Sequence, residues 1–164
     1  MGVPTGPHPK PRMAEGRRTD TISLIALIIV LVLFSGGCVG TENEVSDPTV
    51  LIAAGEVLFT SEGCVNCHGE TGQGIIGPRL NNGAVLETFP SCDEQLLWVS
   101  LGSARWARDV GATYGSSAKP VRGGMPGFGS RLDPAQITQV VSFTRSVFGG
   151  ADAADVADDC TRHS

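Results

Sequence analysis

The sequence predicts a small, loop-rich, all-α domain of three or more helices, and three observations lead there. Three apolar segments carry helix punctuation, with Asp or Asp-Pro before them and glycine after them. The stretches between them are rich in Gly, Ser and Asn and show no period-two alternation of the kind a strand needs. Finally, 22 glycines, 10 prolines and a 5% aromatic share leave few large side chains. A domain of about 100 residues so composed has difficulty building a core. Something other than side chains is expected to fill part of it.

The chain has 164 residues and a formal charge of −5. That suggests one domain with an appendage, and it argues against a general nucleic-acid binder, which is normally basic. The appendage is N-terminal. Residues 1–20 are Pro-rich and carry Lys10, Arg12, Arg17 and Arg18, and residues 22–34 then read ISLIALIIVLVLF. A basic leader before a short apolar run is the layout of a secretory signal. Extended to the uncharged stretch 21–39, the run nears the ~20 residues of a spanning helix, so an uncleaved membrane anchor is the alternative. It ends in FSGGCVG, where small residues leading into Cys38 resemble the lipobox of bacterial lipoproteins, although Ser35 stands where that pattern usually has Leu. Residues 1–38 are therefore read as a signal peptide or membrane anchor, with Cys38 as the lipidation site. Either reading tethers the domain to the outer, extracytoplasmic face of the bacterial cytoplasmic membrane.

Residues 39–47 form an acidic linker, and the folded domain spans 48–149. Asp47-Pro48 starts the first helix, Asp as N-cap and Pro at the first helical position. Leu51, Ile52, Val57, Leu58 and Phe59 give it an apolar face up to Gly63. The second helix is expected over 93–101, DEQLLWVSL, with Gly102 as its stop. Asp133-Pro134 opens the last, whose apolar residues are Ile137, Val140, Val141 and Val147, and Phe148-Gly149-Gly150 ends it. Residues 150–164 read as an acidic, loosely held tail.

The chemistry lies in residues 62–72, EGCVNCHGETG, which set Cys64, Cys67 and His68 within one turn of chain. A zinc site needs four ligands, or three plus water. Cys92, Cys160 and His163 would have to complete it, and none has paired spacing. A thioredoxin-like redox pair needs a βαβ context that the pattern lacks. The spacing C-x-x-C-H is that of covalent c-type haem attachment, in which both thiols bind the porphyrin and the imidazole binds iron. An export signal fits this reading, and an apolar macrocycle would supply the missing core.

Several segments now resemble the class I, monohaem cytochromes c, in the family's order. AAGEVLFTSEGCVNCHGETGQG resembles its first helix and haem motif, IIGPRL the GPxL segment, GGMPGFG the methionine loop and RLDPAQITQVVSFTRS the C-terminal helix. The resemblance covers nearly all of the folded domain and leaves out the leader, residues 103–122 and the tail. It implies the small cytochrome c fold around one covalent haem c. The sixth iron ligand follows by elimination: Met1 and Met13 precede the apolar segment, which leaves Met125. The resemblance further implies that the Pro78 carbonyl accepts from His68. Trp98 and Leu101 would pack on the haem or in plain core, the Trp98 indole N–H being available to a propionate. Arg79 is a second candidate for a propionate.

With Cys38, Cys64 and Cys67 accounted for, Cys92 and Cys160 remain, to be paired as a disulfide in an oxidising compartment or left as free thiols. Arg105, Arg108, Lys119, Arg122 and Arg131 stand against Asp109 alone between residues 103 and 131, which suggests a docking patch for an acidic redox partner. The expected function is electron transfer by a membrane-tethered monohaem cytochrome, not an enzyme, between extracytoplasmic respiratory partners, with no nucleic acid and no small-molecule substrate. The alternatives are a fixed haem subunit of an oxidase or dehydrogenase complex, or an open-iron haem enzyme or sensor.

Overall fold

A computed structural model divides the chain into two units, Met1–Gly40 and Thr41–Ser164. It describes residues 47–162, with Gly2 and Gly6 besides. The leader, Cys38, most of the linker and His163 lie outside the described residues. No helix among the described residues is long and apolar enough to cross a membrane.

The second unit is helix-dominated. Helix α1 (Pro48–Ser61) starts at Asp47, whose carboxylate accepts from the Thr49 and Val50 amides at 2.8 and 3.4 Å. A single turn, α2 (Val65–His68), carries the C-x-x-C-H motif, and α3 (Ala84–Thr88) follows after an irregular loop. Helix α4 spans Cys92–Asp109, and a two-residue pair of strands, β1 (Thr113–Tyr114) and β2 (Lys119–Pro120), runs antiparallel with Thr113 opposite Pro120. Helix α5 (Pro134–Phe143) opens with a reciprocal cap. The Asp133 carboxylate accepts from Gln136 N at 2.8 Å, and the Gln136 side chain accepts from Asp133 N at 3.0 Å. A π-helical turn, Thr144–Phe148, continues it, and α6 (Ala153–Thr161) ends the domain.

Helix α1 packs most extensively on α5. The crossing is close because Gly55 has no side chain: a Cβ there would lie 2.0 Å from Gln139 O. Beside it, Phe59, Phe143 and Phe148 pack ring to ring with centroids 4.9–5.5 Å apart.

Three expectations need correction. Gly102 does break the helical path, with φ 68°, but helical structure resumes beyond it to Asp109, so the break is a kink rather than a stop. Residues 103–122 are therefore not all loop, and they include the small strand pair. The described part of the tail, residues 150–162, is not loosely held. Asp152 caps α6 through its side chain, and Val156, Ala157 and Cys160 bury one face. The Asp-rich tail carries just enough apolar residues at helical spacing to dock.

Candidate functional site

The apolar core surrounds a cavity of about 560 Å³, within the range typical of cofactor sites. Nearly every element contributes to its wall: Phe59 from α1, Cys64, Cys67 and His68 from the motif, and Pro78 and Leu80 from the following loop. Val85 and Phe89, Trp98 and Val99 from α4, Tyr114 from β1, Met125 and Phe128, and Val140 from α5 complete the apolar lining. The structure thus brings Cys64, Cys67, His68, Pro78, Trp98 and Met125 to one cavity. Arg79, Lys119 and Arg122 line it too.

Local backbone chemistry aims the motif. The amides of Cys67 and His68 both donate to the Cys64 carbonyl, at 3.1 and 2.9 Å, winding the segment into a turn that sets both thiols and the imidazole on the cavity. His68 Nδ1 donates to the Pro78 carbonyl at 2.8 Å, which leaves Nε2 with its lone pair. Burial lowers the His68 pKa, outweighing the opposing effect of the Pro78 carbonyl, so the ring favours its neutral, ligating form.

The thiols of Cys64 and Cys67 are not bonded to each other. Burial pushes the Cys64 thiol up to about 11. A redox-active C-x-x-C pair depends on a depressed thiol pKa, so the environment speaks against that chemistry. Nor can Cys92 and Cys160 complete a zinc set, because they form a disulfide with each other, Cα to Cα 5.2 Å. The residues present fit a covalently held haem: two unbonded thiols, an imidazole with one nitrogen fixed and one available, a thioether, and an apolar slot of suitable size.

Other expected positions are resolved as follows. Trp98, read as packing on the haem, with its indole N–H available to a propionate, or as plain core, donates that N–H to Met125 Sδ at 2.8 Å. Leu101 packs against the core but does not line the cavity. The five cations have different partners. Arg105 and Arg108 both pair with Asp109, at 3.8 and 2.7 Å, near the end of α4. Arg131 lies over the Phe128 ring and 3.9 Å from Glu62. Only Lys119 and Arg122 line the cavity, and the Lys119 ammonium donates to Thr88 Oγ1 at 2.6 Å.

Sequence reasoning passed over Tyr114, which stacks on Trp98 at 4.1 Å, and the strand pair that carries it. Its position in a polar, Gly-rich segment hid it. The one available signal was that it is the only tyrosine in the chain.

Comparison with known proteins agrees with this geometry. The family model described as cytochrome c matches residues 52–148. No curated protein and no solved structure matches the chain.

Proposed function

The chain belongs to the cytochrome c family, and from that premise we propose that it carries single electrons through one covalent haem c, on a domain tethered outside the cytoplasmic membrane. The observation that carries the reading is the convergence of Cys64, Cys67, His68 and Met125 on one apolar cavity.

Bound there, haem c supplies a one-electron Fe(III)/Fe(II) couple. Cys64 and Cys67 would hold it through thioether bonds. His68 would ligate through Nε2, its ring plane and tautomer fixed by the Pro78 carbonyl. Met125 would be the second protein ligand to the iron. His/Met ligation would raise the potential and suit a carrier, and would leave the iron no open position for substrate. The apolar lining excludes water.

The disulfide between Cys92 and Cys160 supports an oxidising, extracytoplasmic location. The leader, ending at Cys38, supplies the tether. Partner contact is proposed at the cavity rim. Ile76 lines the cavity while 83% exposed, next to Ile75 at 64%, and Lys119 and Arg122 add positive charge. An apolar edge with basic neighbours fits an acidic redox protein.

The double variant Cys64→Ala, Cys67→Ala tests the assignment. It should retain no haem after denaturation and leave a domain with a hollow core that unfolds readily. A variant that stays as stable as the parent without haem would refute the role of the cavity.

A further inference from the structure

Met125 is fastened by helix α4 at two places. The backbone N–H and the hydroxyl of Ser103 both donate to the Met125 carbonyl, at 3.0 and 3.1 Å. The kink at Gly102 lets this happen, since a Cβ there would lie 2.3 Å from Gly127 N in the same loop. One turn earlier, the Trp98 indole N–H donates to Met125 Sδ at 2.8 Å. The indole has little freedom to turn elsewhere. It is 7% exposed, stacked on Tyr114 at 4.1 Å and met edge-on by Trp106 at 5.3 Å.

We infer that Trp98 is a positioning residue for the Met125 sulfur, and that its N–H sets how strongly that sulfur binds iron. The inference rests on the reading of Met125 as the sixth ligand. A thioether sulfur has two lone pairs, so it can accept one hydrogen bond and still donate to a metal. Thioethers are weak acceptors, and a buried indole N–H is normally matched to a stronger one. Trp106 illustrates the ordinary case, donating to the Thr113 carbonyl at 2.9 Å. The N–H of Trp98 draws density from the sulfur, which weakens its donation to ferric iron more than to ferrous iron. It also holds the sulfur in one orientation. Both effects favour the reduced state, and the fixed orientation of the sulfur keeps the sixth position closed.

Trp98→Phe in the haem-loaded protein keeps an aromatic ring between Tyr114 and Trp106 and removes the donor. Its reduction potential should fall. The equilibrium between methionine-bound and open iron should shift toward open by up to about tenfold, the scale of one lost hydrogen bond, read as faster carbon monoxide binding to the reduced form. Potential and carbon monoxide kinetics identical to the parent would overturn the inference while leaving Met125 as ligand. A second measurement covers a variant that fails to fold. In the intact protein, the Trp98 indole N–H resonance should exchange slowly and shift in Met125→Ala, while that of Trp106 stays in place. A Trp98 resonance indifferent to Met125→Ala would also overturn it. A Met125→Ala spectrum identical to the parent would instead sink the ligand reading beneath it.

Discussion

Arg145 is 5% exposed, and its guanidinium answers several acceptors at once. It donates to the carbonyls of Phe89, Pro90 and Ser91 at 2.8, 3.1 and 3.3 Å and to Gln95 Oε1 at 3.1 Å, with Asp159 3.8 Å away. Phe89 and Gln95 both line the cavity, so this one cation braces part of its wall. The fork geometry of arginine matters, because an ammonium cannot span so many separated acceptors. Arg145→Leu should destabilise the haem-loaded protein by about 3 kcal/mol, the cost of leaving buried acceptors unpaired, measured by urea unfolding. Arg145→Lys should recover only part of that, and full recovery would mean that charge alone matters. Cys64, Cys67, His68 and Met125, which the structure brings to one cavity, could be singled out in the sequence, the first three by their spacing and Met125 by elimination. Arg145 was not legible, and for Trp98 only its place near the cavity was, since the partners of their polar atoms depend on where those atoms end up. An arginine in FTRS looks like any surface cation until the π-helical turn buries it.

Helix α6 shows how an element escapes the sequence pattern. Only Val156, Ala157 and Cys160 are buried, too few to give a strong helical periodicity amid so many aspartates. What holds it is long-range: the disulfide to Cys92 across 68 residues, and the Asp159 carboxylate that accepts from Cys92 N at 3.1 Å. These contacts join it to the start of α4, the helix that carries Trp98 and Ser103. Cys92→Ser with Cys160→Ser should therefore lower stability by about 2–4 kcal/mol. Amide exchange should speed up first in α6. Unchanged exchange there would show that packing alone retains the helix. The start of α1 and of α5, by contrast, was legible to the residue, because Asp-Pro caps act locally. Gly102 was half legible: glycine marks a break, but only tertiary contact with the methionine loop decides that helix resumes beyond it.

At the scale of the whole molecule, the low aromatic content and abundant glycine of the sequence find their counterpart in a core with a cavity at its centre. Charge is divided as well. Arg105 and Arg108 share the single carboxylate of Asp109, whereas Lys119 and Arg122 line the cavity. Oxidation of the reduced protein by ferricyanide, an anionic probe, should therefore slow in Lys119→Glu with Arg122→Glu. The same reversal at Arg105 and Arg108 should have a smaller effect. The difference should shrink as salt is raised, since the Debye length is about 8 Å at physiological ionic strength. Equal effects of both pairs would mean that only net charge counts.

The central claim is a single haem whose iron is closed by His68 and Met125. The visible spectrum of the reduced protein, recorded before and after carbon monoxide and compared with Met125→Ala, tests it most directly. The parent should show a six-coordinate, low-spin spectrum that carbon monoxide leaves unchanged, while Met125→Ala should open the sixth site, bind carbon monoxide and show a lower potential. A parent spectrum that is high-spin or shifts readily with carbon monoxide would contradict the account and place the protein among haem enzymes or sensors.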